Sequence, residues 1–279
     1  MESIQAIVKA TYCFLSLTTI KDNSLLYAID LVKDATVSQF IEQFGEPVLN
    51  PMNWEKKRLA DECNIITGNT PSRKVADYYG DYIEWIKSDN ITNGGVYLAK
   101  AREYLSKNGL KVGRSIDGNS ILMTCIAGSI KCIGNVSIAD RKVSFNQQIN
   151  GIEPLKNNVF FMFQQFNQSQ KYIQSTINMS LKGILSKGQL SELEFIFPPI
   201  ELQNEFAKFF KQVDKLKFVY FKLSIIHSSD STKLHFLYNG FPSSVASKLI
   251  SVTHFSFASL IKILSILNAI PCLRYSLLV

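Results

Sequence analysis

Histidine and paired cysteine are scarce in this chain, and each scarcity removes a class of function. Only three histidines occur in 279 residues (His227, His235 and His254), and none stands at metal-ligand spacing from a cysteine or a second histidine. The five cysteines (Cys13, Cys63, Cys125, Cys132 and Cys272) are odd in number, scattered and without CxxC spacing. That excludes a disulfide-built secreted scaffold and is expected of buried thiols in a reducing cytoplasm. No GxSxG, HExxH or Walker A sequence occurs; the stretch Gly113 to Gly118 is followed by Asn119 where a phosphate-binding loop needs lysine. Phe197-Pro198-Pro199-Ile200 is similar to the Asn/Asp-Pro-Pro-aromatic motif of amino-methyltransferases, but Phe197 cannot accept a hydrogen bond from a target amine. Asp81, Glu84 and Lys87 have the wrong spacing for a nuclease metal site. The expectation is a non-catalytic chain with no cofactor and no bound metal. The opening Met1-Glu2-Ser3 is acidic where a secretory signal is basic. The apolar run 255–279 is interrupted by Lys262, Asn268, Pro271 and Arg274, so no membrane span is expected either.

What is present is core-forming material. Hydrophobic residues make up 46% of the chain, with 19 Phe and 11 Tyr, which is the wrong composition for disorder and enough to bury a sizeable core. The net charge of +7 is unevenly spread. Residues 1–50 carry 3 basic and 6 acidic groups, residues 51–200 carry 18 and 13, and residues 201–279 carry 9 and 4. A basic middle behind an acidic arm permits nucleic-acid binding without demanding it.

The chain divides into four segments: an arm over 1–50, a mixed domain over 51–200, a helix over 201–223 and an atypical tail over 224–279. In the arm, Leu25, Ile29, Val32, Val37, Phe40, Ile41 and Phe44 recur at near-helical spacing. Gly45 then stops the helix, and Pro47 and Pro51 bracket a connector. In the domain, Asp117-Gly118-Asn119 signals a turn before a buried strand over Ile121 to Ala127. Val136-Ser137-Ile138 and Val143-Ser144-Phe145 alternate as half-exposed strands do, and 158–177 predicts one helix. The fold class expected is therefore α+β.

After Pro198-Pro199 comes the cleanest periodicity. Leu202, Phe206, Phe209, Val213, Leu216, Tyr220 and Leu223 follow in alternating steps of four and three, a heptad seam. Such a stripe packs either on its own domain or on another helix. The Leu25–Phe44 helix is the natural partner within the chain, and the same helix of a second copy is the partner between chains.

An ordered set of short motifs then carries a resemblance. Phe44-Gly45-Glu46-Pro47-Val48-Leu49-Asn50-Pro51 precedes Trp54-Glu55-Lys56-Lys57-Arg58-Leu59. Thr67-Gly68-Asn69-Thr70-Pro71-Ser72, Tyr79-Gly80 and Ile83-Glu84-Trp85-Ile86-Lys87-Ser88-Asp89-Asn90-Ile91 follow. Gly128-Ser129-Ile130, Gly134-Asn135-Val136, Phe145-Asn146-Gln147-Gln148-Ile149 and Phe197-Pro198-Pro199-Ile200-Glu201-Leu202-Gln203 complete the set. The chain resembles the specificity subunit of Type I restriction–modification systems over residues 44–216, in a form with one target-recognition domain.

The resemblance implies a ruler that reads one half of a split site in double-stranded DNA. Helical spacers would fix the separation of recognition domains and dock the methyltransferase subunits, with the restriction subunit joining through the complex. Chemistry would then belong to partner chains, in the cytoplasm. Residues 51–200 would be the recognition domain, flanked by long spacer helices of coiled-coil type, with residues 25–44 of the 1–50 arm the end of one spacer and 201–223 another. A half-subunit, a truncated product or a recombining cassette each fits one domain, and a second copy of the chain is a further expected partner. A stand-alone DNA-binding defence module and a non-functional truncated remnant stay open beside it.

Residue chemistry nominates the contacts. Lys87, Ser88, Asp89, Asn90 and Thr92 place donors and acceptors at a strand end after the core anchor Trp85, where they either read base edges or form an ordinary polar loop. Arg73, Lys74, Lys100, Arg102, Lys107, Lys111, Arg114, Lys131, Arg141 and Lys142 are candidate phosphate contacts. Asn146-Gln147-Gln148 offers amides that could pair with adenine, but a buried backbone-bonding role is favoured. The tail breaks the pattern: residues 219–279 hold one acid, Asp230, against five bases and twelve serines. A reading-frame change or a recombination scar, leaving a poorly ordered tail, is the expectation there.

Overall fold

A computed structural model describes residues 24–93, 95–177 and 183–227, with side chains placed between 34 and 215 within those spans. The expectations for the arm before Ser24 and for the tail after His227 lie outside the described residues.

The first described helix, α1 (Ser24–Phe44), ends where the sequence says it must. Gly45 takes φ +75°, and its N–H bonds the Ile41 carbonyl at 2.8 Å. A side chain there would need that left-handed backbone and would also stand 2.6 Å from Pro51, so only glycine serves. Trp54 finishes the cap by donating Nε1–H to the Phe44 carbonyl at 3.0 Å.

The domain opens on β1 (Lys56–Arg58), α2 (Leu59–Glu62) and β2 (Cys63–Thr67). It continues through β3 (Tyr79–Ile86), α3 (Ser88–Thr92), β4 (Tyr104–Leu105), α4 (Lys107–Val112), β5 (Ser115–Ile116) and β6 (Ser120–Thr124). Then come β7 (Val136–Ala139), β8 (Val143–Phe145), β9 (Ile149–Pro154), α5 (Val159–Gln168) and α6 (Gln170–Ser175). The last elements are α7 (Lys187–Glu192), β10 (Glu194–Ile196) and α8 (Ile200–His227). The fold is α+β, as expected.

Three sheets organise these strands. One is antiparallel throughout, in the order β2-β9-β6-β7. The second, in the order β4-β3-β8-β5, is mixed, because β3 and β8 run parallel while the outer pairs are antiparallel. The third joins β1 to β10, with Lys56 opposite Ile196 and Arg58 opposite Glu194. That small ladder draws the chain's exit from the domain back to its entry.

α1 and α8 consequently leave side by side and pack on each other, antiparallel. Gln43 donates to the Leu202 carbonyl at 3.1 Å, while one turn earlier Phe40 meets Phe206 edge-on at 5.4 Å. Phe44 and Phe161 close the cluster, with ring centroids 4.9 to 5.9 Å apart, the range in which tilted and edge-to-face pairs are favourable. A second group, Phe160 and Phe163 of α5 around Phe210 of α8, extends it.

The heptad seam is thereby revised. Phe206 and Val213 are buried, but Leu202 and Phe209 are half-buried, and Gln203, Ala207 and Phe210 are fully covered instead. The physical reason is α5: this helix, inside the domain, covers α8 from a second side, so the buried arc is wider than a two-helix seam needs. The side chains of Leu216 and Tyr220 lie outside the described residues. Gln203 is buried because it works: its Nε2 donates to the Pro198 carbonyl and to Asn157 Oδ1 at 2.8 Å each, and its Oε1 accepts from the Asn158 N–H at 2.9 Å. It ties the first turn of α8 to the cap of α5.

Three local expectations change. β7 and β8 are buried throughout rather than half exposed, because segment 96–98 lies along β7, with Ile138 N–H on the Val96 carbonyl at 2.8 Å. Ser137, which made the alternation look polar, is satisfied internally by bonding the Ile91 and Gly95 carbonyls. The buried strand expected over 121–127 is β6, Ser120–Thr124. The helix expected over 158–177 is two, α5 and α6, meeting at Ser169.

Candidate nucleic-acid interface

The candidate face is built where β3 ends. Trp85 is buried against Ile83 and Leu105. Its Nε1–H donates to the Asn69 carbonyl at 3.3 Å, so the loop after β2 is stitched onto the mixed sheet. Asn69 makes that loop rigid. Its Oδ1 accepts the Arg114 N–H and its Nδ2 donates to the Val112 carbonyl, both at 2.8 Å. Gly68 beside it is obligatory, since a Cβ there would lie 2.1 Å from the Asn146 carbonyl oxygen. Tyr79 secures the far side, its hydroxyl donating to the Pro71 carbonyl at 2.6 Å.

On this frame sits a layer of cations and aromatics. The Arg73 guanidinium stands 4.3 Å from the Tyr79 ring centroid and 5.0 Å from that of Trp85. Lys87 Nζ stands 5.2 Å from the same indole, and Lys107 Nζ 5.4 Å from the exposed Tyr82 ring. Glu103 bridges Arg73 and Lys87, taking one with each carboxylate oxygen. The bond from Lys87, then that from Arg73, holds the Glu103 carboxyl below the usual carboxylate range. Glu103 was not singled out in the sequence, although its place as the lone acid after Lys100 and Arg102 was a usable signal.

The other nominated residues divide. Lys74 and Arg102 are exposed and form no ion pair among the described residues, close in sequence to Arg73 and Glu103. Asn90 is 6% exposed and committed to architecture: Oδ1 accepts the Lys87 N–H at 2.9 Å, and Nδ2 donates to the Lys100 carbonyl at 3.1 Å. It caps α3 and cannot also read a base, which corrects the expectation for it. Thr92 bonds back to the Ser88 carbonyl at 3.1 Å, a local helix contact; Ser88 is half-buried. Arg141 pairs with Glu84 and Asp140 at 2.5 Å each and is 20% exposed, so it is a pin between β3 and the β7–β8 turn rather than a phosphate contact. Lys131 lies in the turn before β7, at the opposite end of that strand from Arg141, where its carbonyl accepts from Gln170 of α6 at 3.3 Å. The structure therefore does not gather all the nominated residues on one surface. Arg73, Lys74, Lys87 and Arg102 belong to the segments around Trp85, and Lys131 does not.

Of the amides, Asn146 takes the buried backbone-bonding role, its Oδ1 accepting the Gln148 N–H at 3.1 Å, whereas Gln147 is exposed and accepts from the Thr70 hydroxyl. Cys63 and Cys125 are buried free thiols, pushed up to about 12 by burial. Among the described residues, no group of three or more His, Cys, Asp or Glu could hold a metal ion, and no helix is long and apolar enough to cross a membrane.

Two solved structures share this fold. The HsdS subunit from Thermoanaerobacter tengcongensis superposes with a TM-score of 0.53 at 14% identity, covering 85% of this chain and 53% of that one. The S subunit from M. genitalium gives 0.50 at 15% identity, over 86% and 60%. Residues 51–219 match the Type I restriction modification DNA specificity domain, and the chain belongs to that family. The HindI specificity subunit of Haemophilus influenzae is 30% identical over 164 residues, 57% of this chain and 35% of that protein. The MjaIX specificity subunit of Methanocaldococcus jannaschii is 26% identical over 173 residues, 60% and 39%. The chain thus spans little more than a third of the length of these curated relatives.

Proposed function

We propose that this chain is a non-catalytic recognition piece that reads one half of a bipartite site in double-stranded DNA. It would work within a Type I restriction–modification complex in the cytoplasm. The observation that carries the reading is the β1–β10 ladder: it returns the chain to its entry point, so one DNA-specificity domain sits on two antiparallel helices. That geometry lets the helices set spacing while the domain faces DNA. Arg73, Lys74, Lys87 and Arg102 contact phosphates and position the domain; Ser88 and Asp89, just past the end of β3, are the nominated side chains left to approach base edges. α8, whose sequence carries the seam Leu202, Phe206, Phe209, Val213, Leu216 and Tyr220, docks methyltransferase subunits or a second copy of this chain. The second copy brings the second half-site reader, and the restriction subunit joins through the methyltransferase.

Co-expression with an adenine methyltransferase subunit of a Type I system tests this. The expected result is a co-purifying complex that binds duplex DNA with log K falling linearly in log salt. A chain that binds no DNA in any such complex, or that transfers methyl groups from S-adenosylmethionine by itself, overturns the reading.

A further inference from the structure

Arg73 and Lys87 are placed twice over. The faces of Tyr79 and Trp85 hold them at cation–π distances, and Glu103 holds them again, Oε2 accepting from Arg73 and Oε1 from Lys87. The aromatic placement does not involve the acid and survives its loss. What the acid adds is an anion with two oxygens, one on each cation. A phosphodiester presents the same thing: one negative charge and two free oxygens, matched to a guanidinium and an ammonium. The three side chains are between 35% and 54% exposed, so another anion can reach both cations. Ion pairs this open contribute little and exchange readily.

We propose, on the basis of the DNA-recognition reading above, that Glu103 occupies a backbone-phosphate site of the free chain and suppresses binding to DNA of arbitrary sequence. With Glu103 in place the cluster offers one net positive charge instead of two. A phosphate that docks there must first displace the carboxylate, and phosphate contact alone returns little for it. Where base contacts form as well, they supply the remainder. Glu103 therefore widens the gap between target and other DNA, and acts as a specificity-determining residue that touches no base.

The test is a salt series on the full chain with a random-sequence duplex as probe, comparing wild type with Glu103→Gln and Glu103→Ala. Gln keeps the shape, and either change leaves the Glu103 carbonyl on the Trp85 N–H, so the sheet pairing is retained. The expected result is tighter binding at low salt, roughly two- to thirtyfold. The slope of log K against log salt should also steepen by about one to two. Adding Arg73→Gln to Glu103→Gln should return the slope toward the wild-type value. Unchanged or weaker binding in both Glu103 variants overturns the proposal and makes Glu103 a positioning group. A wild-type chain that does not bind the duplex at low salt overturns the proposal together with the DNA-recognition reading beneath it.

Discussion

The two four-stranded sheets of this domain solve opposite problems. The antiparallel sheet β2-β9-β6-β7 is covered by α5 and, through the phenylalanine cluster, by α1 and α8; Ile65, Ile121, Ile138 and Ile152 are all buried at its centre. The mixed sheet β4-β3-β8-β5 has, at its outer end, only Ile83, Trp85 and Leu105 for a core, and over them a film of Arg73, Lys87 and Glu103. The first region is held by apolar area, which is non-directional and tolerant of polar change at the surface. The second is held by single hydrogen bonds from Asn69, Tyr79 and Trp85, which are directional and fix side-chain positions. A recognition module needs both: a frame that sets where the helices point, and a thin, charged, rigid face whose side chains can differ without disturbing the frame.

Removing one ring from the frame should have the largest effect. Phe206→Ala deletes the ring shared by Phe40, Phe44 and Phe210, and should cost about 3–5 kcal/mol in urea unfolding. If the cost stays below 1 kcal/mol, the phenylalanine cluster does not join helices to domain. Gly68→Ala strikes the second region instead. The new methyl meets the Asn146 carbonyl, so β2's end must part from the β8–β9 turn, at about 1–3 kcal/mol. Hydrogen exchange should then rise around 67–75 and 145–149 while α1 and α8 stay protected. Uniform loss of protection would show that the two regions do not behave separately.

How much of this was legible follows the same division. The frame was readable because apolar area leaves periodicity: the α1 stripe with its Gly45 stop, the strand at Ile121 and the stripe on α8 all appear in the order of residues. Its error was Phe209 for Phe210, which arose because a third helix, α5, widens the buried arc, and no spacing along α8 alone reveals a third helix. The thin face was legible only as composition. Lys87 and Asn90 look alike as polar residues three apart, yet one is on the surface of Trp85 and the other is a buried cap. The frame hid a second misreading of the same kind, since Ser137 of β7 reads as solvent-facing until the carbonyls of Ile91 and Gly95 arrive from 42 to 46 residues away. Glu103 gained its place from partners 16 and 30 residues distant.

A third change probes the seam between the two sheets. Arg141 joins Glu84 of β3 to the turn after β7, with both carboxylates less than 15% exposed. Arg141→Met leaves those acids without their cation and should cost about 1.5–3 kcal/mol at neutral pH. It should leave the salt slope of DNA binding unchanged, because Arg141 has no free charge to give a phosphate. A slope that falls by about one would return Arg141 to the interface.

The smallest effect on stability belongs to the charges that the fold does not use. Lys74 and Arg102 are exposed and form no ion pair among the described residues, so nothing in the packing depends on them. Lys74→Ala and Arg102→Ala should each change unfolding free energy by less than about 0.5 kcal/mol. If the thin face carries DNA, each should nevertheless lower the salt slope by about 0.9, and the double variant by about twice that, with equal weakening on every duplex sequence. Lys131→Ala, outside the segments around Trp85, is the control and should leave the slope in place. Residues whose loss is invisible to unfolding but plain in a salt titration mark the working face. Should Lys131 move the slope and Lys74 and Arg102 not, the DNA lies along the other end of β7, and the surface around Trp85 is no interface.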